Sequence, residues 1–503
     1  MYEKDKAPAS ISRWQITGTI RTESPLHIGD GRTDAILTRP CRKDFLDGAE
    51  PDYATVMTTR TGSPVIPGTS LKGALHAWAC VRLGKESALI TETFGSKDRG
   101  GLVTFHDAPL KVAPKVAGDF RFWCEARSTS LTPQVVIDSR TRSAKESLLY
   151  YVEYVPAGAE FEVTFTSQGD TGRQRALILY ILQHAFQIAH RPATLGSESA
   201  NGWGRVKWEP ASYRQMNVLE WLTARQVRPW VEGLKEIGSA EKTRWLAEAA
   251  ELKSTLAPQP TAESMSFRLR LDFDGAMLVN DPSRRRKGAD PIGHAAIRRD
   301  SGEIYLPAHS VRGAFRAQAR RIWQTVFAES EGDHFSRFEK LFGATGWRAA
   351  IEIGDFELKK GGAEYPQEFV AVDRFTGGVA GSKKFTARGI GKPVFEGTVR
   401  IRTDRLFADH GVKAGKWVWL LLAWTLRDWA EGDGFIGFGR SKGYGAFRAS
   451  VSPEGGNAGG PDAELLQRIL KRDPAALDSP ELRLWESSLT ELLNEVRTKR
   501  EAA

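Results

Sequence analysis

One ten-residue stretch occurs twice in this chain. Ile66-Pro67-Gly68-Thr69-Ser70-Leu71-Lys72-Gly73-Ala74-Leu75 returns as Leu306-Pro307-Ala308-His309-Ser310-Val311-Arg312-Gly313-Ala314-Phe315, 240 residues later (313 − 73). An internal repeat restricts the fold more than any local pattern does, because each copy must be a unit that folds the same way. The turn at Pro67 or Pro307 delivers the chain into a helix, and a Thr69 or Ser70 hydroxyl is placed to cap its free N–H groups. Leu71, Ala74, Leu75, Trp78 and Ala79 then follow the spacing of a buried helix face, and Val311, Ala314, Phe315, Ala319 and Ile322 repeat it. Lys72-Gly73 and Arg312-Gly313 put a cation and a closely approachable backbone at each helix start. That combination suits a phosphate.

The match continues outward. Phe94-Gly95 and Asp107 return as Phe342-Gly343 and Asp355, 248 residues on; Asp138-Ser139-Arg140 is answered by Asp373-Arg374-Phe375, and Gly202 by Gly443, 241 residues on. Trp14, Ile16, Gly18 and Ile20 alternate with polar residues as a half-buried strand does, and so do Phe267, Leu269, Leu271 and Phe273. Each copy then reads strand, loop, helix, strand, excursion, strand, helix and glycine-rich end. The irregular loops 21–65 and 274–303 are longer than simple connections and suggest function. The order is that of an α+β fold compatible with a βαββαβ ferredoxin-like core. On this reading the first copy spans 1–210 and a helical linker 211–264. The second copy spans 265–455, and an amphipathic helical tail using Leu482, Trp485, Leu489, Leu492 and Val496 spans 456–503.

At 503 residues the chain has room for about two to four domains. A net charge of +9 favours polyanions, nucleic acid above all. The three cysteines, Cys41, Cys80 and Cys124, form no Cys-x-x-Cys pair, which argues against a disulfide framework or zinc knuckle and fits a reducing cytoplasm. The first residues carry no apolar signal core. The longest apolar run, Trp417 to Trp424, is far short of the ~20 residues that span a bilayer. The expectation is a soluble cytoplasmic protein with no membrane partner. Gly-x-x-x-x-Gly-Lys-Ser/Thr is absent, so nucleotide hydrolysis is unsupported.

Pro25-Leu26-His27-Ile28-Gly29, the Ile-Pro-Gly-Thr-Ser-Leu-Lys-Gly turn, the Phe-Gly pair, the Asp107 and Asp138–Arg140 segments and Asn201-Gly202-Trp203-Gly204-Arg205-Val206 together resemble the RAMP superfamily of CRISPR-associated proteins. Two copies on one chain resemble a tandem-fused backbone subunit of a type III effector complex, type III-D-like in arrangement. The resemblance implies two ferredoxin-like (RRM-like) palms, each with a β-hairpin thumb. It also implies a guide RNA, a complementary target RNA, other RAMP backbone subunits and a polymerase-like large subunit as partners. Ser70, Lys72, Gly73, Ser310, Arg312 and Gly313 fit the phosphate-cradling helix starts. Gly202, Trp203, Gly204, Gly443, Tyr444 and Gly445 fit the closing loops. Arg140, Arg142, Lys145, Arg374, Lys383, Lys384 and Arg388 would track RNA backbone from the thumbs, with Phe375 or Phe385 as a wedge.

In several relatives a loop aspartate supports cleavage of the target RNA. Asp52 and Asp290 are the candidates for catalysis and for holding Mg²⁺ or another divalent cation, with Asp30, Asp34 and Asp281 as fallbacks. A carboxylate with a hydrated cation suits attack by the RNA 2′-OH, since it neutralises phosphate charge and helps remove the proton. Arg284, Arg285, Arg286 and Lys287 near Asp290 would compete with the cation, so the first copy is the favoured site. Two alternatives stay open: a structural RNA-binding subunit without activity, and a metal-independent guide-processing ribonuclease using His27, His294 or His309 as a base.

Overall fold

The computed structural model describes residues 12–35, 52–84, 87–117, 122–138, 144–167, 172–186, 192–217, 233–255, 264–284, 293–327, 333–407, 415–453 and 460–501. Each repeat is a mixed α+β unit with a seven-stranded main sheet and a four-stranded side sheet. In the first copy Ser12–Thr22 is the central strand. It buries Trp14, Ile16 and Ile20 and pairs antiparallel with Glu160–Ser167 on one side and Val206–Asn217 on the other. Val103–Phe105 and Ala108–Val112 extend the sheet beyond Glu160–Ser167. The four main strand positions thus lie in the spatial order fourth, first, third, second. Helix Gly68–Leu83 follows the first strand and helix Gly172–His184 the third; both feed one core through Leu71, Leu75, Trp78, Leu177, Ile178 and Ile181.

The second copy repeats this order. Met265–Phe273 lies between Val394–Ile401 and Ala446–Pro453, and Ile351–Ile353 and Phe356–Lys360 join Val394–Ile401. Helices Ala308–Phe327 and Trp417–Glu431 pack Val311, Phe315, Trp323, Leu422 and Leu426 into its core. The helix face read from the repeat is therefore buried in both copies, with Ala74, Ala314 and Ile322 at its partly buried margin.

Three sequence expectations need correction. The stretch 21–65 contains the strands Gly29–Ala35 and Asp52–Val56, and 274–303 contains Ala276–Met277 and His294–Ala295. They are short and carry little apolar alternation, and pairing makes them strands: Asp52–Val56 joins the hairpin strand Ala144–Tyr154 and takes Gly29–Ala35 on its other side, and both later strands join Val379–Gly391. Second, a boundary at 210 falls inside the strand Val206–Asn217. The supposed linker belongs to the first copy: Lys235–Glu236 adds to its sheet, and helix Ser239–Thr255 covers helix Gly172–His184. Trp245 is fully buried there under the Arg175 guanidinium, 4.1 Å from its ring centre, while Arg175 pairs with Glu248 at 2.5 Å. Third, neither Thr69 nor Ser70 caps its helix, as described below.

The C-terminal helices Gly460–Leu470 and Pro480–Glu501 pack on helix Trp417–Glu431. Leu482, Trp485, Leu492 and Val496 are buried on the face their spacing predicts. Among the described residues no helix is long and apolar enough to cross a membrane.

Candidate nucleic-acid interface

Both repeated helices start in the same way, by a device the local sequence does not show. The Gly68 amide donates to Asp107 Oδ1 at 2.7 Å and the Ala308 amide to Asp355 Oδ1 at 2.9 Å. Each cap comes from a loop between two short strands, 39 or 47 residues downstream, and Pro67 occupies the N-cap position with no side-chain bond. A carboxylate at a helix N-terminus also opposes the helix dipole, so it is stabilised there. Ser70 and Ser310 are half-buried, while Gly73 and Gly313 are exposed with open space around them.

The glycine-rich ends are tight for a steric reason. Gly204 and Gly445 have φ of +75° and +78°, and a Cβ there would lie 1.9 Å from Leu195 O and 2.2 Å from Ile436 O. Only glycine fits such a position. Trp203 and Tyr444, beside them, are buried, so their rings serve the loop's packing.

The two copies meet where the first copy's glycine-rich loop rests on the second copy's helix start. Arg312 Nη1 donates to Asn201 Oδ1 at 3.0 Å, and Arg312 also donates to the Phe342 carbonyl. Arg348 donates to the Ser199 hydroxyl at 3.3 Å, and Gly202 faces Gly354 closely enough that a Cβ on it would lie 3.1 Å from Gly354 Cα. Arg312, read from the sequence as an open phosphate-binding cation, is thus committed to the junction. Among the described residues, no loop meets its counterpart Lys72 in this way. Tyr154 of the first copy donates to Asp300 Oδ2 of the second at 2.9 Å. A cleft lined by Lys115, Tyr154, Trp203, Arg298, Arg299 and His309 opens beside that bond. Burial pushes the His309 pKa down, against the charges of Asp355 and Glu198.

Asp300 gives the junction a pH dependence. Burial raises its pKa from 3.8 to about 6, with Asp281 adding in the same direction and the Tyr154 and Ser130 hydroxyls opposing. A carboxyl whose pKa is raised in the folded protein binds its proton more tightly there than in the unfolded chain. The folded junction should therefore gain stability as pH falls through about 6, with the gain complete below 3.8. Hydrogen exchange of the Ala117 amide, which donates to the Asp300 carbonyl, reads this directly. Exchange at pH 5.5, corrected for its intrinsic rate, should be more protected than at pH 7.5. Asp300→Asn should remove the difference, and an unchanged difference in that variant would refute the assignment.

The acidic candidates cluster at the first copy's side sheet without forming one ligand set. Gly29–Ala35 pairs with Asp52–Val56 so that Ala35 lies opposite Asp52 and Asp34 opposite Tyr53. Alternation across a strand then sends the Asp34 and Asp52 side chains to opposite faces. Asp52 and Asp34 are exposed. Asp30 accepts from the Thr55 hydroxyl at 2.5 Å and the Arg32 amide at 2.9 Å. Burial opposes its ionisation, but those bonds and the Arg32 charge hold its pKa below the usual value. Among the described residues no group of three or more His, Cys, Asp or Glu side chains is placed to hold a metal. Asp281 is buried beside the junction and Asp290 lies outside the described residues.

Behind Asp52 stands a buried charge pair that the sequence reading missed. Glu153 is fully buried and accepts from Arg127 at 2.9 and 3.0 Å, from the Thr129 hydroxyl at 2.6 Å and from the Val56 amide at 3.0 Å. Its backbone carbonyl accepts a hydrogen bond from His27 Nδ1 at 2.6 Å. Tyr53 packs with Phe122, Leu131 and Tyr151 in a small separate core. The Asp52 strand is therefore held through the Tyr53 side chain in that core and through the Val56 amide at Glu153. The second copy differs: the Ala296 amide donates to the Arg388 backbone carbonyl, where Val56 meets a carboxylate. The bridges Thr58 to Pro64 and Arg298 to Ile304 keep the copies in register at 240 residues. At that offset the residue matching Asp52 is Ile292, not Asp290.

The hairpins flanking the side sheets carry the remaining candidates. Glu364–Val372 and Val379–Gly391 form the second, with Phe375 fully exposed in its turn beside exposed Arg374. Asp373 shapes that turn, accepting from the Phe375 and Thr376 amides at 2.8 and 2.9 Å. Lys384 pairs with Glu368 at 2.8 Å on the surface. Phe385 stacks on Phe369, and His294 stacks on Phe438, so His294 serves packing. The first hairpin, Ser130–Ile137 with Ala144–Tyr154, exposes Val135, Val136, Ile137, Leu149 and Tyr150. Arg140 and Arg142 lie outside the described residues, as do the side chains of Lys145 and Lys383.

A family model described as the RAMP superfamily matches residues 19–207 and 292–448. No curated protein matches the chain.

Proposed function

This chain belongs to the RAMP superfamily, and we propose that it is a backbone subunit of a type III, III-D-like, CRISPR effector complex that holds guide RNA and cuts complementary target RNA at its first copy. The duplicated helix start, capped from Asp107 in one copy and Asp355 in the other, carries the reading. It presents two equivalent helix-start backbones at a fixed separation, with the Lys72 cation at the first, as a chain that follows a repeating phosphate backbone needs. The spatial order fourth, first, third, second supports two ferredoxin-like palms. The exposed hairpins, with Phe375 in the turn of one, suit thumbs that press between bases of a guide–target duplex.

For cleavage, Asp52 is the exposed carboxylate on a strand fixed from behind. Asp52 would hold a hydrated Mg²⁺, which would supply charge neutralisation and a more acidic water. Asp52 itself would orient that hydrated cation near the 2′-OH. Ile292 at the matching position favours a purely structural role for the second copy.

Guide binding should tolerate any base sequence and fall steeply with salt. Lys72→Ala should weaken binding for all guides and lower the salt slope by about one. Arg312→Ala should instead act mainly on the copy–copy junction, and so on thermal stability. Fluorescence anisotropy with several guides across a salt series checks this. Strong base discrimination with a flat salt response would reject the backbone cradle.

A further inference from the structure

The junction between the copies rests on four pairings: Asn201 with Arg312, Ser199 with Arg348, Gly202 against Gly354, and Tyr154 with Asp300. Such a contact is head-to-tail. If its two surfaces recurred at the outer ends of the chain, copies of the chain would add to one another without limit. They do not recur. At the second copy's end, Arg440 and Lys442 stand where the first copy has Ser199 and Asn201, and Gly439 replaces Glu198, at the constant offset of 241. The parallel pairings of Ala54 with Val152 and His294 with Ala387 put Gly389 at the place of Tyr154. At the first copy's end, Lys72 and Arg60 replace Arg312 and Asp300 at an offset of 240. Gly100 and His106 replace Arg348 and Gly354 at an offset of 248.

Stacking one chain on another in the junction's own geometry would set Arg440 and Lys442 toward Lys72. It would also drive His106 against Gly443, where Gly202 and Gly354 now leave room. Ring contacts favour one placement for each cation. Lys442 Nζ sits 4.8–5.3 Å from the ring centres of Phe438, Phe385 and Phe369, and Arg440 lies 5.2 Å from that of Phe435. These are cation–π distances, so both charges are held on the loop. Like charges brought together across an interface suppress the wrong partner, and the right one is selected by the opposite charge.

We infer that this chain excludes a second copy of itself, and that the polypeptide docking on its second-copy end is a different chain of the same fold carrying carboxylates at its helix start. The inference is independent of RNA binding or cleavage, because it concerns the ends of the chain without RNA. If the chain bound no RNA, the preceding proposal would fall and this one would stand.

Sedimentation equilibrium of the full chain, free of nucleic acid and at low salt, tests it. The wild type should remain at its monomer mass of 55.7 kDa as concentration rises. Lys72→Glu with His106→Gly should at least double the apparent mass in a concentration-dependent, salt-weakened way. Arg440→Glu with Lys442→Glu, which reverses the charge on the other face, should do the same and stands in if the first variant fails to fold. Head-to-tail association of the wild type would overturn the inference, and so would folded variants of both faces that stay monomeric. End-to-end bridging of wild-type chains by added RNA, abolished by Arg440→Ser with Lys442→Asn, would show that the end is a nucleic-acid surface and overturn the assignment to a polypeptide.

Discussion

Asp52→Ala should reduce cutting of a complementary target RNA by at least ~100-fold in the assembled complex with Mg²⁺, the scale of loss for a positioned acid–base or metal-orienting group. Guide and target binding should hardly change, because one exposed carboxylate contributes little to a groove dominated by phosphate contacts. Asp290→Ala should leave the cut unaltered, since the register of the repeat puts Ile292 at the matching position. One cut per chain should result, with a 2′,3′-cyclic phosphate end, as attack by the 2′-OH requires. Mapping product ends decides it. A second regularly spaced cut that disappears in Asp290→Ala would show that the second copy is active despite Ile292. A full-rate cut in Asp52→Ala would move attention to Asp30 and Asp34, which lie on or beside the same strand pair.

Glu153→Gln should cost about 3–5 kcal/mol of stability, the usual range for breaking a buried ion pair from one side. The Glu153 side chain is 0% exposed and its partner Arg127 only 25%, so the guanidinium would be left in the interior without its counter-charge. Replacing both, as Glu153→Leu with Arg127→Met, should recover most of that loss, because well-packed apolar groups often equal a buried pair. Urea unfolding of the three variants measures the difference. A single-variant loss under about 1 kcal/mol would mean that water or a neighbour relieves Arg127. The double variant has a second use. It restores stability but removes the acceptor of the Val56 amide, so slower cutting with normal stability would identify Glu153 as a positioning residue for the Asp52 strand.

The glycine-rich loops show how unevenly the repeat was legible. The pairs Gly204 and Gly445, and Asp107 and Asp355, could be matched by counting, and the structure gives each pair the same job in both copies. Lys72 and Arg312 could be matched just as well, and their surroundings differ. Arg312 is taken up by Asn201 and Phe342, whereas Lys72 meets no loop of this kind among the described residues. Sequence equivalence reports a shared place in the fold, and the neighbours at that place decide what the side chain does. The helix Ser239–Thr255 was readable as a helix, but its burial against helix Gly172–His184 rests on Trp245 and Arg175 meeting across 70 residues.

By itself the sequence determined the duplication, the α+β order of each copy, the buried faces of the repeated helices and the amphipathic tail. These depend on periods of two and 3.6 residues and on spacings that can be counted along the chain. Only the tertiary structure decided the Asp107 and Asp355 caps, the Glu153–Arg127 pair behind Asp52, the commitment of Arg312 to the junction and the mismatch between the chain's two ends. Each of these joins groups tens to hundreds of residues apart whose local sequences carry no period and no motif. Hydrogen bonds and ion pairs of that kind exist only once the sheets have closed, and what each side chain meets is set by the fold around it.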